Sequence, residues 1–205
     1  MIRVLDARFV ITAVAPEGYP PENAPEIAFV GRSNVGKSSM INALAVRRKL
    51  VRVSNTPGRT RTLNFFDVDL EDQGERRTLR LVDLPGYGFA KASKAERKDW
   101  ERMISAYLED RRSLRVVVCI IDAEVGATRD DEETLDYLSE KVPRILLAAT
   151  KVDRLPKAKR KPRMVELATR LGLPLGAVIP FSSTEKIGVE EVWENLLLSA
   201  PTSLN

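Results

Sequence analysis

The sequence predicts one domain of the α/β class with a mostly parallel sheet, because three features of the 205-residue chain agree. Short apolar runs alternate with segments of helical periodicity, which is the pattern of strand–helix–strand units. Helices at that spacing are expected on both faces of the sheet. A polar turn at 71–75 joins two consecutive strands, so one antiparallel hairpin is also expected.

Each element is predicted from its local pattern. Strands are predicted where apolar or alternating runs are bounded by turn residues, at 9–14, 27–30, 64–70, 79–84, 116–121, 145–150 and 177–181. Helices are predicted where apolar residues recur at three- and four-residue spacing, at 37–47, 95–110, 130–141, 157–171 and 189–198. The resulting plan is an N-terminal strand with a proline-rich connector (1–25), one globular domain (26–200) and a short tail (201–205).

The composition of the chain limits its possible partners and catalytic sites. The chain carries 33 basic and 29 acidic residues, a formal net charge of +4 that permits an anionic partner without requiring one. It contains no histidine, which excludes Ser-His-Asp hydrolysis and most catalytic zinc sites. The first 15 residues lack the apolar core of a signal peptide, and no run reaches the ~18 apolar residues of a membrane span. A cytoplasmic location without a membrane partner is therefore expected.

A phosphate-binding loop is predicted at residues 31–38, which match the pattern G-x-x-x-x-G-K-[ST] in full between a predicted strand and a predicted helix. The glycines let backbone N–H groups turn onto phosphate oxygens, and the helix adds its positive dipole end. Lys37 is placed to reach the β- and γ-phosphates, and Ser38 is placed to ligate Mg²⁺. The pattern predicts a P-loop NTPase fold with a nucleotide held by Gly31, Arg32, Ser33, Asn34, Val35, Gly36, Lys37 and Ser38.

A second phosphate-side component lies at the end of the strand predicted at 79–84, where the sequence reads Asp83-Leu84-Pro85-Gly86. In P-loop NTPases such an aspartate lies beside Mg²⁺, and we expect Asp83 to act on the metal through water. The Gly86 N–H is expected to meet the γ-phosphate, because only a residue without Cβ allows so close an approach.

Base selection is predicted at the end of the strand 145–150, in the tetrapeptide Thr150-Lys151-Val152-Asp153. The Asp153 carboxylate can accept hydrogen bonds from the N1–H and N2–H₂ groups of guanine, which adenine does not offer in that pattern. Such bonds to a charged group contribute about 1.5–3 kcal/mol each. Lys151 can lay its stem along the base. The guanine O6 is expected to face backbone N–H groups of the segment Phe181-Ser182-Ser183-Thr184, which ends the last predicted strand.

These segments, in this order, resemble the EngB (YihA/YsxC) family of bacterial GTP-binding proteins, within the TrmE-Era-EngA-YihA-Septin-like P-loop GTPases. The likeness covers about residues 8–198 and rests on segments 31–39, 56–60, 64–66, 83–88, 150–153 and 181–183. It implies a GTPase that binds GTP and GDP with Mg²⁺. It further implies a switch role in assembly of the large (50S) ribosomal subunit, with links to cell division and septation. We expect a monomer.

The resemblance also implies roles for individual residues. Thr60 is implied as the switch threonine that joins Ser38 on Mg²⁺, with Thr56 and Thr62 as alternatives, and Lys37 and Thr60 as the catalytic pair. The implied nucleotide contacts extend to Ser39, Gly58, Arg59, Arg61 and Thr62.

Two departures stand out from the usual GTPase pattern. Thr150 stands where many GTPases have asparagine, which removes one amide from the base pocket. Tyr87 stands where Ras-type enzymes place a water-orienting glutamine. Weak intrinsic hydrolysis, completed by a partner or a cation, is therefore expected.

The sequence leaves three questions about function open. Asn34 either binds K⁺ or only shapes the loop. The run 157–163, with five cations in seven residues, together with 47–49 and 76–77, either contacts rRNA phosphates or forms a solvated face. The alternative functions are a P-loop ATPase or kinase, against which Asp153 argues, and an RNA-binding protein with a vestigial nucleotide site.

Overall fold

Seven strands and five helices form the part of the chain that the computed structural model describes, namely residues 2–47, 50–51, 62–87 and 94–200. The strands are β1 (Arg3–Ala13), β2 (Glu26–Gly31), β3 (Leu63–Asp72), β4 (Glu75–Asp83), β5 (Leu114–Asp122), β6 (Ile145–Thr150) and β7 (Val178–Pro180). The helices are α1 (Lys37–Leu44), α2 (Lys94–Asp110), α3 (Arg129–Ser139), α4 (Lys157–Arg170) and α5 (Val189–Ser199). Within these described ranges, no helix is both long enough and apolar enough to cross a bilayer.

The strands make one sheet in the order β1-β3-β4-β2-β5-β6-β7. Strand β3 runs antiparallel to β1 and β4, and the other four neighbouring pairs are parallel. The predicted α/β fold, with a mostly parallel sheet and a hairpin of β3 and β4, is confirmed. Strand β1 is longer than the predicted 9–14, because two register shifts, at Val4/Asp6 and Phe9/Ile11, break the alternation on which that prediction depended.

The hydrophobic core lies on both faces of the sheet. Helices α1 and α5 cover one face, with Met40 and Trp193 among the buried side chains. Helices α2, α3 and α4 cover the other face, where Tyr107, Leu138 and Leu167 are buried. Central strands that are covered on both faces read as continuous apolar runs, which is why β2 and β5 were visible in the sequence.

A buried network of charges fixes the amino end of β2. The carboxylate of Glu26 is fully buried and accepts hydrogen bonds from Arg111 Nε (2.9 Å) and from the Tyr107 hydroxyl (2.9 Å). Arg80 lies 3.7 Å from the same carboxylate. Arg111 also donates to the carbonyl oxygen of Pro20, 2.7 Å away. The network therefore fastens the proline-rich connector to the end of the sheet opposite the predicted phosphate loop.

The carboxyl ends of β2, β4, β5, β6 and β7 meet at one edge of the sheet, because these strands run in the same direction. The chain leaves β2 through α1 toward β3 and β4 on one side, and it returns through α2 to β5 on the other side. Open α/β sheets bind their ligands outside the carboxyl ends of the strands at such a reversal. The residues that follow β2 are therefore at the expected position for a site.

Candidate nucleotide site

The loop after β2 has the shape that anion binding requires. A Cβ on Gly31 would lie 2.8 Å from Val35 Cγ1 and 2.9 Å from a carbonyl oxygen of β5, so only glycine fits. Asn34 (φ 63°) and Gly36 (φ 100°) take left-handed backbone conformations that turn the chain through the loop. The loop leads directly into α1, which begins at Lys37. Free amides and the helix dipole at this end favour a negatively charged ligand.

Lys37 and Asp83 form an ion pair between the loop and the end of β4. Their side chains are 13% and 10% exposed, so each largely buried charge is neutralised by the other. Asp83 lies beside Phe29 of β2 in the sheet register, which brings the carboxylate next to the loop. Ser38 and Ser39 follow on α1 and are half-buried.

The segment after Asp83 lies against the same loop. The Tyr87 N–H donates to the carbonyl oxygen of Gly31 (3.3 Å), and the Ser33 N–H donates to the carbonyl oxygen of Tyr87 (3.1 Å). A Cβ on Gly86 would lie 3.1 Å from the Gly31 oxygen and 3.3 Å from the Ser33 nitrogen. This close approach explains why the position holds a glycine.

The Tyr87 side chain points into the interior. Its hydroxyl donates to Asp131 of α3 at 2.9 Å, and its ring meets Trp100 of α2 edge-to-face at 5.9 Å between centroids. Burial raises the pKa of the Tyr87 hydroxyl well above its usual value, and the neighbouring Cys119 and Asp131 add to that rise. Burial also raises the pKa of the Cys119 thiol, to about 12. Tyr87 therefore acts as a neutral hydrogen-bond donor that faces away from the loop.

The end of β6 is tied to the same loop by two side chains. The buried Thr150 hydroxyl lies 2.5 Å from the carbonyl oxygen of Val35. Lys151 (φ 61°) donates from Nζ to the carbonyl oxygen of Asn34 (2.8 Å) and to Asp122 Oδ2 (2.5 Å). The two residues predicted to lie beside a base thus also support the phosphate loop.

The predicted base-facing groups lie next to this support. Asp153 is half-buried in the single turn that follows β6. The N–H of Phe181 donates to a carbonyl of β6, and the N–H of Ser182 donates to the carbonyl of Ile187. In the part of the chain that the structure describes, the Ser183 N–H has no protein acceptor. Of the Phe181, Ser182 and Ser183 amides, the one on Ser183 is therefore available to meet O6.

The structure brings segments 31–39, 83–86, 150–153 and 181–183 to one edge of the sheet. Leu84, Val152 and Phe181 have buried side chains, so only their backbones can contact a ligand, and the Pro85 carbonyl accepts a hydrogen bond from Trp100. Thr62 directly precedes β3. The remaining predicted loop residues lie outside the described residues: Thr56, Gly58, Arg59, Thr60 and Arg61.

Two carboxylates of this region were missed from the sequence. Asp122 ends the apolar strand β5 at the same edge as Asp83, so the signal of a carboxylate after a buried strand was present. Asp131 carried no such signal, because it lies inside α3 and reads as an N-terminal capping residue three positions after Thr128. Its link to Tyr87 depends on tertiary packing.

Comparison with known proteins identifies the class. The family described as 50S ribosome-binding GTPase matches residues 26–151, a range that includes the loop at 31–38, the Asp83–Gly86 segment and Lys151. The doubly covered sheet, the phosphate loop at its point of reversal and this match together define a P-loop GTPase.

Relatives narrow the class to a family. The probable GTP-binding protein EngB of Myxococcus xanthus (strain DK1622) is 68% identical over 197 residues, covering 96% of each chain. Its namesake in Anaeromyxobacter dehalogenans (strain 2CP-C) is 49% identical over 197 residues, covering 95% of this chain and 91% of the relative. A crystal structure of a probable GTP-binding protein engB superposes with a TM-score of 0.61 at 26% identity, covering 83% and 96% of the two chains. The chain belongs to the EngB family of GTP-binding proteins, and the resemblance drawn from its motifs is confirmed.

Proposed function

We propose that this GTPase acts in the cytoplasm as a nucleotide-controlled switch in the assembly of the large ribosomal subunit. The observation that carries the proposal is the match to the 50S ribosome-binding GTPase family over residues 26–151. The geometry of the phosphate side supports the switch, and a set of unpaired lysines supports contact with ribosomal RNA.

On the phosphate side, GTP competes with Asp83 for the ammonium group of Lys37. A polyphosphate carries more negative charge than one carboxylate, so Lys37 exchanges Asp83 for β- and γ-phosphate oxygens. The backbone amides of the loop hold the remaining phosphate oxygens. Gly86, held against the loop, offers its N–H to the γ-phosphate. Because GDP lacks that phosphate, the contact distinguishes the two nucleotides.

The residues beside Lys37 fit Mg²⁺. Hydroxyl and carboxylate oxygens are the donors that Mg²⁺ prefers, and Ser38 and Asp83 supply one of each. We propose that Ser38 ligates the metal directly, that Asp83 acts through water, and that Thr60 supplies a second hydroxyl as the resemblance implies. Within the described ranges, no cluster of three or more His, Cys, Asp or Glu side chains could hold a metal by itself, so the phosphates would complete the shell. Mg²⁺ held by these residues would supply positive charge that offsets the charge of the phosphates.

For the base, we propose that the Asp153 carboxylate accepts hydrogen bonds from the N1–H and N2–H₂ groups of guanine. The Ser183 N–H donates a hydrogen bond to O6. Lys151, held by Asp122 and the Asn34 carbonyl, covers one face of the ring. This arrangement supports guanine over adenine, because adenine would leave the Asp153 carboxylate without its donors.

We propose that intrinsic hydrolysis is slow. The Tyr87 hydroxyl is engaged by the buried Asp131, so the residue after Gly86 does not orient an attacking water as the glutamine of Ras does. A ribosomal partner or a cation would have to supply the missing group. The left-handed backbone of Asn34 supports its loop-shaping role, while binding of K⁺ by Asn34 stays a prediction.

The ribosome-facing surface is proposed on α4. Two arginines of the basic run are engaged within the protein, since Arg160 pairs with Glu185 and Arg163 with Glu166, both at 2.7 Å. The exposed lysines of the run form no ion pair in the part of the chain that the structure describes. This lysine patch consists of Lys157, Lys159 and Lys161. Lysines that form no ion pair are available to neutralise RNA phosphates.

Co-sedimentation with purified 50S subunits tests the proposal. Wild-type protein should pellet more with the non-hydrolysable analogue GMPPNP than with GDP. The double variant Lys157→Gln/Lys161→Gln should lower the magnitude of the slope of log affinity against log salt by about 1.4–1.8, because two phosphate contacts are lost. The matched control, Arg112→Gln/Arg144→Gln, removes two exposed cations elsewhere and should bind as wild type. Equal pelleting with both nucleotides would contradict the switch, and no pelleting would contradict the ribosomal partner.

A further inference from the structure

A fully buried carboxylate connects the phosphate loop to the segment that follows Asp83. Asp131 has no solvent exposure. Its Oδ1 accepts the Tyr87 hydroxyl at 2.9 Å, and its Oδ2 accepts both the N–H and the hydroxyl of Thr128 at 2.8 Å. Arg32 of the phosphate loop is its cationic partner, with Nε 3.3 Å from Oδ2. We call Arg32, Tyr87 and Asp131 the Asp131 cluster.

Three sets of contacts hold the segment 85–87, and the Asp131 cluster provides the first of them through the Tyr87 hydroxyl. In the second set, Tyr87 exchanges backbone hydrogen bonds with Gly31 and Ser33 of the loop. In the third set, Trp100 of α2 packs on the Tyr87 ring and donates its Nε1–H to the Pro85 carbonyl oxygen at 2.8 Å. The residue between Pro85 and Tyr87 is Gly86, which is therefore fixed from both neighbours.

Helix capping alone does not account for these contacts. The two hydrogen bonds from Thr128 complete the N-terminal cap of α3 without help from Tyr87 or Arg32. The remaining partners of Asp131 come from the two segments that would surround a γ-phosphate. Burying a carboxylate is costly unless charge and hydrogen bonds compensate it, so a buried Asp131 that recruits both segments holds them in a defined relation.

We infer that Asp131 is a positioning residue for recognition of the γ-phosphate: through Tyr87 it keeps the Gly86 N–H at the edge of the phosphate loop, and through Arg32 it keeps the loop in register with that amide. The inference rests on the proposed contact of Gly86 with the γ-phosphate. It follows that loss of the Tyr87 hydroxyl should weaken GTP binding and leave GDP binding unchanged, because GDP has no group that reaches Gly86, whereas a change at Arg32 also affects the loop that holds both nucleotides.

Two tyrosine-to-phenylalanine variants test the inference against a matched background. Tyr87→Phe removes the hydroxyl on Asp131 and keeps the ring. Tyr107→Phe removes a hydroxyl that donates to another fully buried carboxylate, Glu26, at the same 2.9 Å distance but at the opposite end of β2. Both variants should lose comparable thermal stability. The comparison therefore separates a specific effect on nucleotide binding from a general loss of a buried hydrogen bond.

The measurement is titration calorimetry of each protein with GDP and with GMPPNP, both with Mg²⁺. For Tyr87→Phe, the ratio of the GMPPNP dissociation constant to the GDP dissociation constant should rise at least about threefold, within the range expected for one hydrogen bond. For Tyr107→Phe, the ratio should equal that of the wild type. A Tyr87→Phe protein that is folded and keeps the wild-type ratio overturns the inference, as does one in which both nucleotides weaken equally.

A second variant decides the matter if Tyr87→Phe does not fold. Asp131→Asn keeps the side-chain volume and an acceptor for Thr128, but it removes the charge that faces Arg32. The same rise in the ratio supports the inference, and an unchanged ratio overturns it. Wild-type protein that binds neither nucleotide would reject the proposed function as well, whereas wild-type binding of both with unchanged ratios in the variants would reject the positioning role alone.

Discussion

Replacing Thr150 by valine tests whether this residue acts on the nucleotide through the phosphate loop. The Thr150 Oγ1 atom lies 2.5 Å from the carbonyl oxygen of Val35 and 3.1 Å from that of Ile121. A hydroxyl has one hydrogen, so the shorter contact, to the loop, receives it. Valine keeps the shape of the side chain and removes only the hydroxyl. The Val35 carbonyl then loses its donor in a buried position.

The expected cost is set by that unsatisfied acceptor. Thr150 is 3% exposed and Val35 is 2% exposed, so water cannot readily replace the hydroxyl. Leaving one buried acceptor without a partner costs about 1–3 kcal/mol. In a domain of this size each kcal/mol lowers the melting temperature by about 2–4 °C, so a decrease of about 2–12 °C is expected. If about 1.4 kcal/mol of loop ordering must be supplied on binding, nucleotide affinity falls about tenfold.

The assay is thermal unfolding together with calorimetric titration of GDP and GMPPNP. Both nucleotides should weaken by the same factor, because the loop holds the phosphates that they share; Tyr87→Phe is expected to affect one of them alone. Thr150→Ser is the control, since it keeps the hydroxyl and loses a methyl group. A Thr150→Val protein that melts and binds like the wild type refutes the reasoning, and so does a Thr150→Ser protein with the full defect.

Four further outcomes are expected. Lys37→Ala should abolish GDP binding in calorimetry and lower stability, because the phosphates and the buried Asp83 both lose their cation; retained binding would rule out the phosphate role. Asp153→Asn should shift preference from guanosine toward xanthosine nucleotides in a competition assay, and an unchanged preference would contradict the base assignment. If the asparagine of the phosphate loop binds K⁺, hydrolysis measured as phosphate release should be faster in K⁺ than in Na⁺ buffer, and equal rates would reject that idea. Glu26→Gln should lower the free energy of unfolding by about 3–5 kcal/mol, since it leaves the Arg111 guanidinium without its buried carboxylate, while GDP affinity measured on the folded variant stays unchanged.

Local geometry made part of the site predictable. The loop at 31–38 needs particular residue types at fixed spacing, because glycine permits the turn and lysine must follow it. Asp83 ends one apolar strand and Asp153 follows another, and the carboxyl ends of parallel strands share one edge. The parallel arrangement of the strands therefore brings these segments to one edge of the sheet.

Side-chain direction was not predictable in the same way. Thr150 was interpreted from the sequence only as a missing amide at the base, yet its hydroxyl lies on the loop carbonyl of Val35. Tyr87 was recognised as a departure from glutamine, but its partner Asp131 lies 44 residues further along the chain, in helix α3. The basic run was counted as five cations, although Glu185 and Glu166 engage two of them. In each case the deciding partner is brought close by tertiary packing, which no local pattern encodes.

Strand β1 has a consequence for synthesis of the chain. It pairs with β3 alone, and its side-chain hydrogen-bond partners on β3 lie 52 to 68 residues further along, from Thr12 with Asn64 to Arg3 with Glu71. At about 5–20 residues per second, the nascent strand waits about 3–14 s before its neighbour has been made. During that interval apolar residues such as Phe9 are open to other chains. Charges at Arg3, Asp6 and Arg8 interrupt the apolar stretch, and charged residues in such a strand oppose its aggregation until the edge of the sheet is complete.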